Sequence, residues 1–158
     1  MTTVVPQDDA PIDAARICRG IMRTLDRQGW RSLTEISLAN GRRADVMAID
    51  ESGRFLIVEV KSSPADYLSD RKWTEYLDYC DLFAFAVGPS FPVALLPETV
   101  GLFVTDGYDS HPLRPPVAAP APLAPARRRQ LLIRFARLGA DRVRRGLLDP
   151  DDGLDGLA

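Results

Sequence analysis

Residues 42–61, RRADVMAIDESGRFLIVEVK, contain two apolar-rich runs joined by a short polar turn. The runs RRADVMAI (42–49) and FLIVEVK (55–61) are typical of β-strands, and Glu51-Ser52-Gly53 between them is typical of a three-residue hairpin loop that ends in glycine. Upstream, RSLTEISL (31–38) precedes a similar joint, Ala39-Asn40-Gly41. The three runs therefore predict a meander of antiparallel strands.

The loop lengths predict which residues of neighbouring strands face each other. A three-residue loop at 51–53 places Asp45 opposite Glu59, and one at 39–41 places Glu35 opposite Asp45. Opposite residues have Cβ atoms about 5 Å apart, so an unneutralised row of three carboxylates would be repulsive. Carboxylate oxygens and waters are the ligands that Mg²⁺ prefers, so a divalent ion would neutralise this row.

Two other interpretations of these residues stay open. Asn40-Gly41 also suits a two-residue turn, which would move Glu35 to the apolar face of the strands. Because burial of an unpaired glutamate would cost on the order of several kcal/mol, the three-residue loop is favoured. Alternatively, two acids and two bases form ordinary salt bridges across a solvated face. These four residues are Asp45, Glu59, Arg43 and Lys61.

Other periodic segments surround the meander. Residues 11–28 have apolar side chains at helical spacing and end before Gly29, which predicts an amphipathic helix. Residues 70–80 show the same spacing and predict a helix after the third strand. LFAFAV (82–87) and GLFVTD (101–106) predict two further strands.

The C-terminal third of the chain has a different composition. Residues 107–126 contain six prolines with alanines between them, which predicts an extended linker. Residues 127–148 carry eight arginines and one aspartate, Asp141, and predict a basic amphipathic helix. Residues 149–158 form an acidic tail. Such a helix suits either phosphate contact or a protein partner.

Composition limits the remaining classes. The chain has 158 residues, of which 46% are apolar, enough for one globular core. It has neither an 18-residue apolar run nor a basic and apolar leader, so we expect no membrane partner and a cytoplasmic location. Cys18 and Cys80 lack CxxC spacing, which argues against a zinc site.

The order of these residues resembles the PD-(D/E)xK nuclease superfamily: Glu35, then Arg43-Ala44-Asp45, then Glu59-Val60-Lys61, then a helix. Residues 31–106 more specifically resemble MmcB-like bacterial DNA repair proteins. The elements that carry this resemblance are RAD (43–45), EVKSS (59–63), ADY (65–67), DRKWTEYLDYCD (70–81), FAV (85–87) and GL (101–102). The linker and the basic helix lie outside it.

The resemblance implies an α/β (α+β) fold with a restriction-endonuclease-like αβββαβ core and a mixed sheet, contained in residues 1–106. It implies that Asp45, Glu59 and Glu35 bind Mg²⁺ or Mn²⁺, and that Lys61 orients the attacking water. These four residues form the expected catalytic set.

Three further residues are candidate substrate contacts. Arg43 lies beside Lys61 in the predicted register, where a phosphate would fit. Lys72 and Tyr76 resemble a QxxxY element of some superfamily members, with lysine in place of glutamine. Alternatively, Lys72 is only a solvated side chain. In addition, Ala44 stands where the superfamily pattern has proline.

The function expected from these observations is that of a metal-dependent endonuclease that hydrolyses DNA during repair. A noncatalytic nucleic-acid-binding accessory module and a protein-interaction domain are the alternatives. Branched, damaged or single-stranded DNA are the expected partners in the bacterial nucleoid. A homodimer and a repair protein bound through the basic helix are further candidate assemblies.

Overall fold

The computed structural model describes residues 11–148. The chain divides into two units, residues 1–122 and residues 123–158. The elements of the first unit are α1 (Ala14–Arg27), β1 (Arg31–Ser37), β2 (Arg43–Ile49), β3 (Phe55–Lys61), α2 (Pro64–Ser69), a 3₁₀ helix (Trp73–Tyr79), β4 (Leu82–Val87), a 3₁₀ turn (Val93–Leu95), β5 (Gly101–Thr105), β6 (Ser110–Arg114) and β7 (Val117–Ala118). The second unit contains α3 (Pro125–Leu148).

The strands form one mixed seven-stranded sheet. Its order is β1-β2-β3-β4-β5-β6, and the short β7 pairs with β4. The first three strands are antiparallel, β3, β4 and β5 run parallel to one another, and β6 returns antiparallel to β5. The α2 and 3₁₀ segments connect β3 to its parallel neighbour β4. The predicted mixed α/β architecture, with helices before and after a meander, is confirmed.

Both hairpins of the meander have the predicted three-residue loops. The Leu38 N–H donates to the Arg42 carbonyl at 2.7 Å, and the Asp50 N–H donates to the Arg54 carbonyl at 3.1 Å. Each loop ends in a glycine with φ of 83°, a left-handed conformation that glycine adopts without a Cβ clash. The alternative two-residue turn is therefore wrong.

Helix α1 covers one face of the sheet. The Asp13 carboxylate accepts the Arg16 N–H at 2.8 Å and so caps the first turn. Ile17, Ile21 and Leu25 are fully buried from this helix and join a core that includes the apolar side chains of β2 and β3. The apolar face predicted for the meander thus packs under the predicted N-terminal helix.

Aromatic side chains cover the opposite face. Trp73 stacks on Phe83 with ring centroids 5.5 Å apart, and Tyr67 meets Phe85 edge-on at 5.9 Å. The segment predicted as a helix at 70–80 is a 3₁₀ helix that begins at Trp73. This packing holds the segment after β3 against the sheet, next to the C-terminal end of β3.

The prediction that residues 107–126 form a linker is wrong for residues 110–118, which form β6 and β7. Pro112 is opposite Phe103 in β6, a strand at the edge of the sheet where a residue without an N–H is tolerated. Gly101 allows the connection between β6 and β7 to approach β5 closely, because a Cβ at this position would lie 2.6 Å from the Pro116 Cα. Proline content therefore marked an edge strand as well as a connection.

The second unit consists of α3, which begins at Pro125, two residues before the predicted start of the basic helix. Proline suits the first turn of a helix because that position needs no N–H donor. The predicted acidic tail, residues 149–158, lies outside the described residues. Within residues 11–148, no helix combines the length and the apolar character needed to cross a membrane.

Candidate functional site

The site begins where β2 and β3 stop pairing. The last pair of this hairpin is Val46 opposite Val58. Just beyond it, the Val60 N–H donates to the Asp45 carboxylate at 2.9 Å. One carboxylate oxygen of Asp45 is thus held by the backbone of β3, and the side chain lies beside Glu59, as the predicted register requires.

Glu59 is a buried carboxylate with an unused oxygen. Its side chain is only 6% exposed, and its Oε1 lies 3.6 Å from the Lys61 Nζ. Its Oε2 has no hydrogen-bond partner among the described residues. Burial and the negative charge of Asp45 raise the pKa of the Glu59 carboxyl, and burial also raises the pKa of Asp45. Both carboxyl groups are therefore easier to protonate than exposed carboxyl groups.

Lys61 is buried between two acids. Its side chain is 3% exposed, and its Nζ lies 3.6 Å from Glu59 Oε1 and 3.9 Å from Asp70 Oδ2. Asp70 also lies 3.3 Å from an Arg42 nitrogen, and Arg42 in turn pairs with Glu75 at 2.5 Å. This chain of ion pairs fixes the ammonium group beside Glu59.

These side chains line a cavity of about 400 Å³, called here the acidic cleft. Its charged lining consists of four acids and three bases: Asp45, Glu59, Asp66, Asp70, Arg42, Arg43 and Lys61. The formal balance is negative, and Arg42 is also engaged by Glu75 outside the cleft. With all four acids ionised, the acidic cleft would carry one net negative charge, which a bound cation would offset.

The prediction that Glu35 completes a row of three carboxylates is wrong. Glu35 has a φ of 53°, which interrupts the alternation of side chains between the two faces of β1. The residues on either side of Glu35 pair with residues of β2, whereas Glu35 itself does not. Its side chain is 64% exposed and lies 3.8 Å from an Arg43 nitrogen. Among residues 11–148, no three acid, histidine or cysteine side chains are grouped to hold a metal ion. Glu35 instead lines a neighbouring cavity of about 500 Å³ that shares Asp45.

The three candidate substrate contacts lie in different environments. Arg43 lines the acidic cleft with its side chain 62% exposed. Lys72 is exposed and does not line this cleft. Tyr76 is buried, and its hydroxyl donates to the Arg43 carbonyl at 3.0 Å and lies 3.5 Å from Glu59 Oε1. Burial and the nearby carboxylates raise the pKa of Tyr76, so this hydroxyl stays protonated and supports the site structurally.

Sequence reasoning did not assign Arg42, Asp66 and Asp70 to the site. Asp66 accepts the Ser62 N–H at 3.1 Å from the first turn of α2, and its side chain lines the acidic cleft. Asp70 follows α2 and reaches Lys61. Neither spacing nor periodicity marks these residues, because the folding of the connection after β3 brings the two acids to the cleft, and Arg42 directly precedes β2.

Cys18 of α1 is a thiol close to the same acids. Burial and the charges of Asp45, Glu35 and Glu59 raise its pKa to about 11. A thiol with this pKa is protonated at neutral pH, so Cys18 is not an activated nucleophile.

Comparisons with known proteins agree with this architecture. The family model for DNA repair protein MmcB-like matches residues 4–149. A structure of a protein of unknown function from Silicibacter pomeroyi is 40% identical, with a TM-score of 0.79, and the match covers 90% of this chain and 96% of that chain. A repair endonuclease from Pyrococcus abyssi is 15% identical, with a TM-score of 0.34, over 65% of this chain and 43% of that one, which is too slight a likeness to carry an argument. No protein of curated function matches the sequence.

Proposed function

Since the chain belongs to the MmcB-like DNA repair protein family, we propose that it hydrolyses phosphodiester bonds of DNA with a divalent metal ion bound in the acidic cleft. One observation carries this proposal: the adjacent carboxylates of Asp45 and Glu59 lie beside the buried ammonium group of Lys61. DNA is the proposed substrate because the family acts in DNA repair.

The residues of the acidic cleft fit a hard divalent cation. The Glu59 Oε2 is buried without a hydrogen-bond partner among the described residues, and a bound cation would satisfy it. Mg²⁺ is commonly held by one or two carboxylates together with waters and substrate phosphates, so Asp45 and Glu59 suffice. When bound there, Mg²⁺ or Mn²⁺ would neutralise charge on the phosphate and lower the pKa of a bound water.

Each residue around the two acids has a distinct task in this proposal. Lys61 has three N–H donors and is held by Glu59 and Asp70, so it can place a water or a phosphate oxygen without being free to move away. The exposed Arg43 guanidinium offers a fork of donors to phosphate oxygens. Its contact with Glu35, at 3.8 Å on the surface, is weak enough to be exchanged.

Cleavage of labelled duplex, single-stranded, branched and damaged DNA in Mg²⁺ or Mn²⁺ tests the proposal. Glu59→Gln should abolish cleavage because it removes a metal ligand, and Lys61→Met should slow cleavage by about 10²–10⁴-fold because it removes the positioned ammonium. Glu51→Gln, at an exposed acid of the second hairpin loop, is the matched control and should cleave as the unmodified protein does. Cleavage that persists in both cleft variants would refute the assignment.

A noncatalytic DNA-binding module is the second candidate. It is favoured because no three acid, histidine or cysteine side chains of residues 11–148 are grouped to hold a metal ion. Calorimetric titration with Mg²⁺ and Mn²⁺ separates the two candidates. Metal binding that disappears in Glu59→Gln supports hydrolysis, whereas DNA binding without metal binding or cleavage supports the module.

A further inference from the structure

Helix α3 concentrates positive charge on a single element. Its 24 residues include eight arginines and one acid, Asp141. At 1.5 Å per residue the helix is about 36 Å long. A charge this dense on one helix needs an anionic partner or solvent to offset its self-repulsion.

The eight arginines fall into two groups. Four of them make interactions within the described part of the chain: Arg127, Arg128, Arg134 and Arg142. The other four are exposed and have no hydrogen bond or ion pair with any described residue: Arg129, Arg137, Arg144 and Arg145. Within residues 11–148, the second group therefore has no anionic partner.

Three available arginines share one face of the helix. Arg129, Arg137 and Arg144 are eight and seven residues apart, which keeps them within about 80° around the axis. Their separations along the axis are about 12 Å and about 10 Å. This set, called here the arginine row, therefore forms an elongated cationic track.

We propose that the arginine row binds the phosphate backbone of DNA, as a contact additional to the acidic cleft. Phosphates of one DNA strand follow one another at about 3.4 Å along the duplex axis, so a track of about 22 Å meets several of them. Alanines at 136 and 140 lie between the arginines and allow the helix to approach a backbone closely.

An acidic protein surface fits the arginine row less well. The hot spots of protein interfaces are enriched in Trp, Tyr and Arg, but they cluster at the centre of the interface in desolvated pockets rather than along an exposed track of about 22 Å. Between residues 129 and 144, the face that carries the row has no aromatic residue, and Ile133 is its one large apolar side chain. Regularly spaced guanidinium groups without an anchor are the pattern expected for a repeated phosphate ligand.

The salt dependence of DNA binding by the full chain tests this proposal. Fluorescence anisotropy with a labelled duplex in EDTA measures affinity without metal-dependent cleavage. On duplex DNA, each phosphate contact contributes about 0.9 to the slope of log affinity against log salt concentration. The triple variant Arg129→Ala, Arg137→Ala, Arg144→Ala should therefore reduce the magnitude of the slope by about 2.7.

Two matched variants give the control. Replacing the same three arginines with lysine keeps the charge and should keep the slope. The double variant Leu132→Ser, Ile133→Ser removes exposed apolar side chains and should leave the slope unchanged. If the triple alanine variant folds poorly by circular dichroism, Arg137→Ala alone should still lower the slope by about 0.9.

A slope that stays the same after the alanine substitutions would overturn the proposal and point to a protein partner for α3. The result is separable from hydrolysis, because Glu59→Gln should bind DNA in EDTA with an unreduced slope even though it cannot cleave. A protein that loses cleavage but keeps the salt dependence of DNA binding can thus be distinguished from one that keeps cleavage but loses part of that salt dependence.

Discussion

The Val60 N–H donates to the Asp45 carboxylate at 2.9 Å, immediately beyond the last pair of β2 and β3. This hydrogen bond joins the two strands through a side chain at the point where their backbones separate. It also fixes the segment Glu59-Val60-Lys61 relative to Asp45. The same bond that completes the hairpin therefore aligns the two carboxylates of the acidic cleft.

Substitutions at Asp45 should separate this structural role from metal binding. Asparagine keeps an oxygen that can accept the Val60 N–H and removes a buried negative charge, so Asp45→Asn should be at least as stable as the unmodified protein in EDTA at neutral pH. Asp45→Ala leaves that N–H unsatisfied and should lose about 1–3 kcal/mol. Urea denaturation measures both values, and equal stabilities would show that the hydrogen bond contributes nothing. Neither variant should gain stability from added Mg²⁺.

Glu59→Gln should be more stable than the unmodified protein at neutral pH in EDTA. Burial raises the Glu59 pKa above its ordinary value of 4.5, so the folded protein binds more protons than the unfolded chain between the two pKa values. Stability therefore falls as pH rises through this interval, and the glutamine variant lacks this loss. The difference in unfolding free energy should grow by more than about 1 kcal/mol between about pH 5 and about pH 8.

Urea denaturation of both proteins across that pH range gives the measurement, with Glu51→Gln as the control at an exposed acid. A difference that is constant with pH would contradict the raised pKa. Added Mg²⁺ should reverse the ranking if Glu59 binds the metal ion, because a ligand that binds only the folded state stabilises it.

The sequence was sufficient to predict the two hairpins and the relative positions of Asp45, Glu59 and Lys61, because short-range features of the chain determine both. Loop length and loop glycines determine the register that places Asp45 opposite Glu59, and alternation places Lys61 on the same face. The left-handed backbone of Glu35 was not predictable, because no pattern distinguishes it within an otherwise regular strand. Asp70 reaches Lys61 only through tertiary packing of the segment after β3.

Lys61→Met should reduce catalysis more than DNA affinity. Methionine keeps most of the side-chain volume in this buried position but removes the ammonium that would place the water. Loss of such a proton-transfer or positioning group lowers kcat by about 10²–10⁴-fold. Single-turnover cleavage gives the rate, and anisotropy in EDTA gives the affinity. An equal loss in both would instead assign Lys61 to DNA binding.

Gly101→Ala should destabilise the sheet because residues 115–118 pack directly on it. A Cβ at this position would lie 2.6 Å from the Pro116 Cα and 2.8 Å from the Pro115 carbonyl oxygen, and both are backbone atoms that cannot move independently. Overpacking of this kind costs about 1–3 kcal/mol. Gly146→Ala is the matched control: its Cβ would meet nothing within 4 Å in α3, so no loss is expected. Thermal unfolding compares the two variants. An undiminished Tm for Gly101→Ala would show that residues 115–118 do not pack on Gly101 and form a free linker.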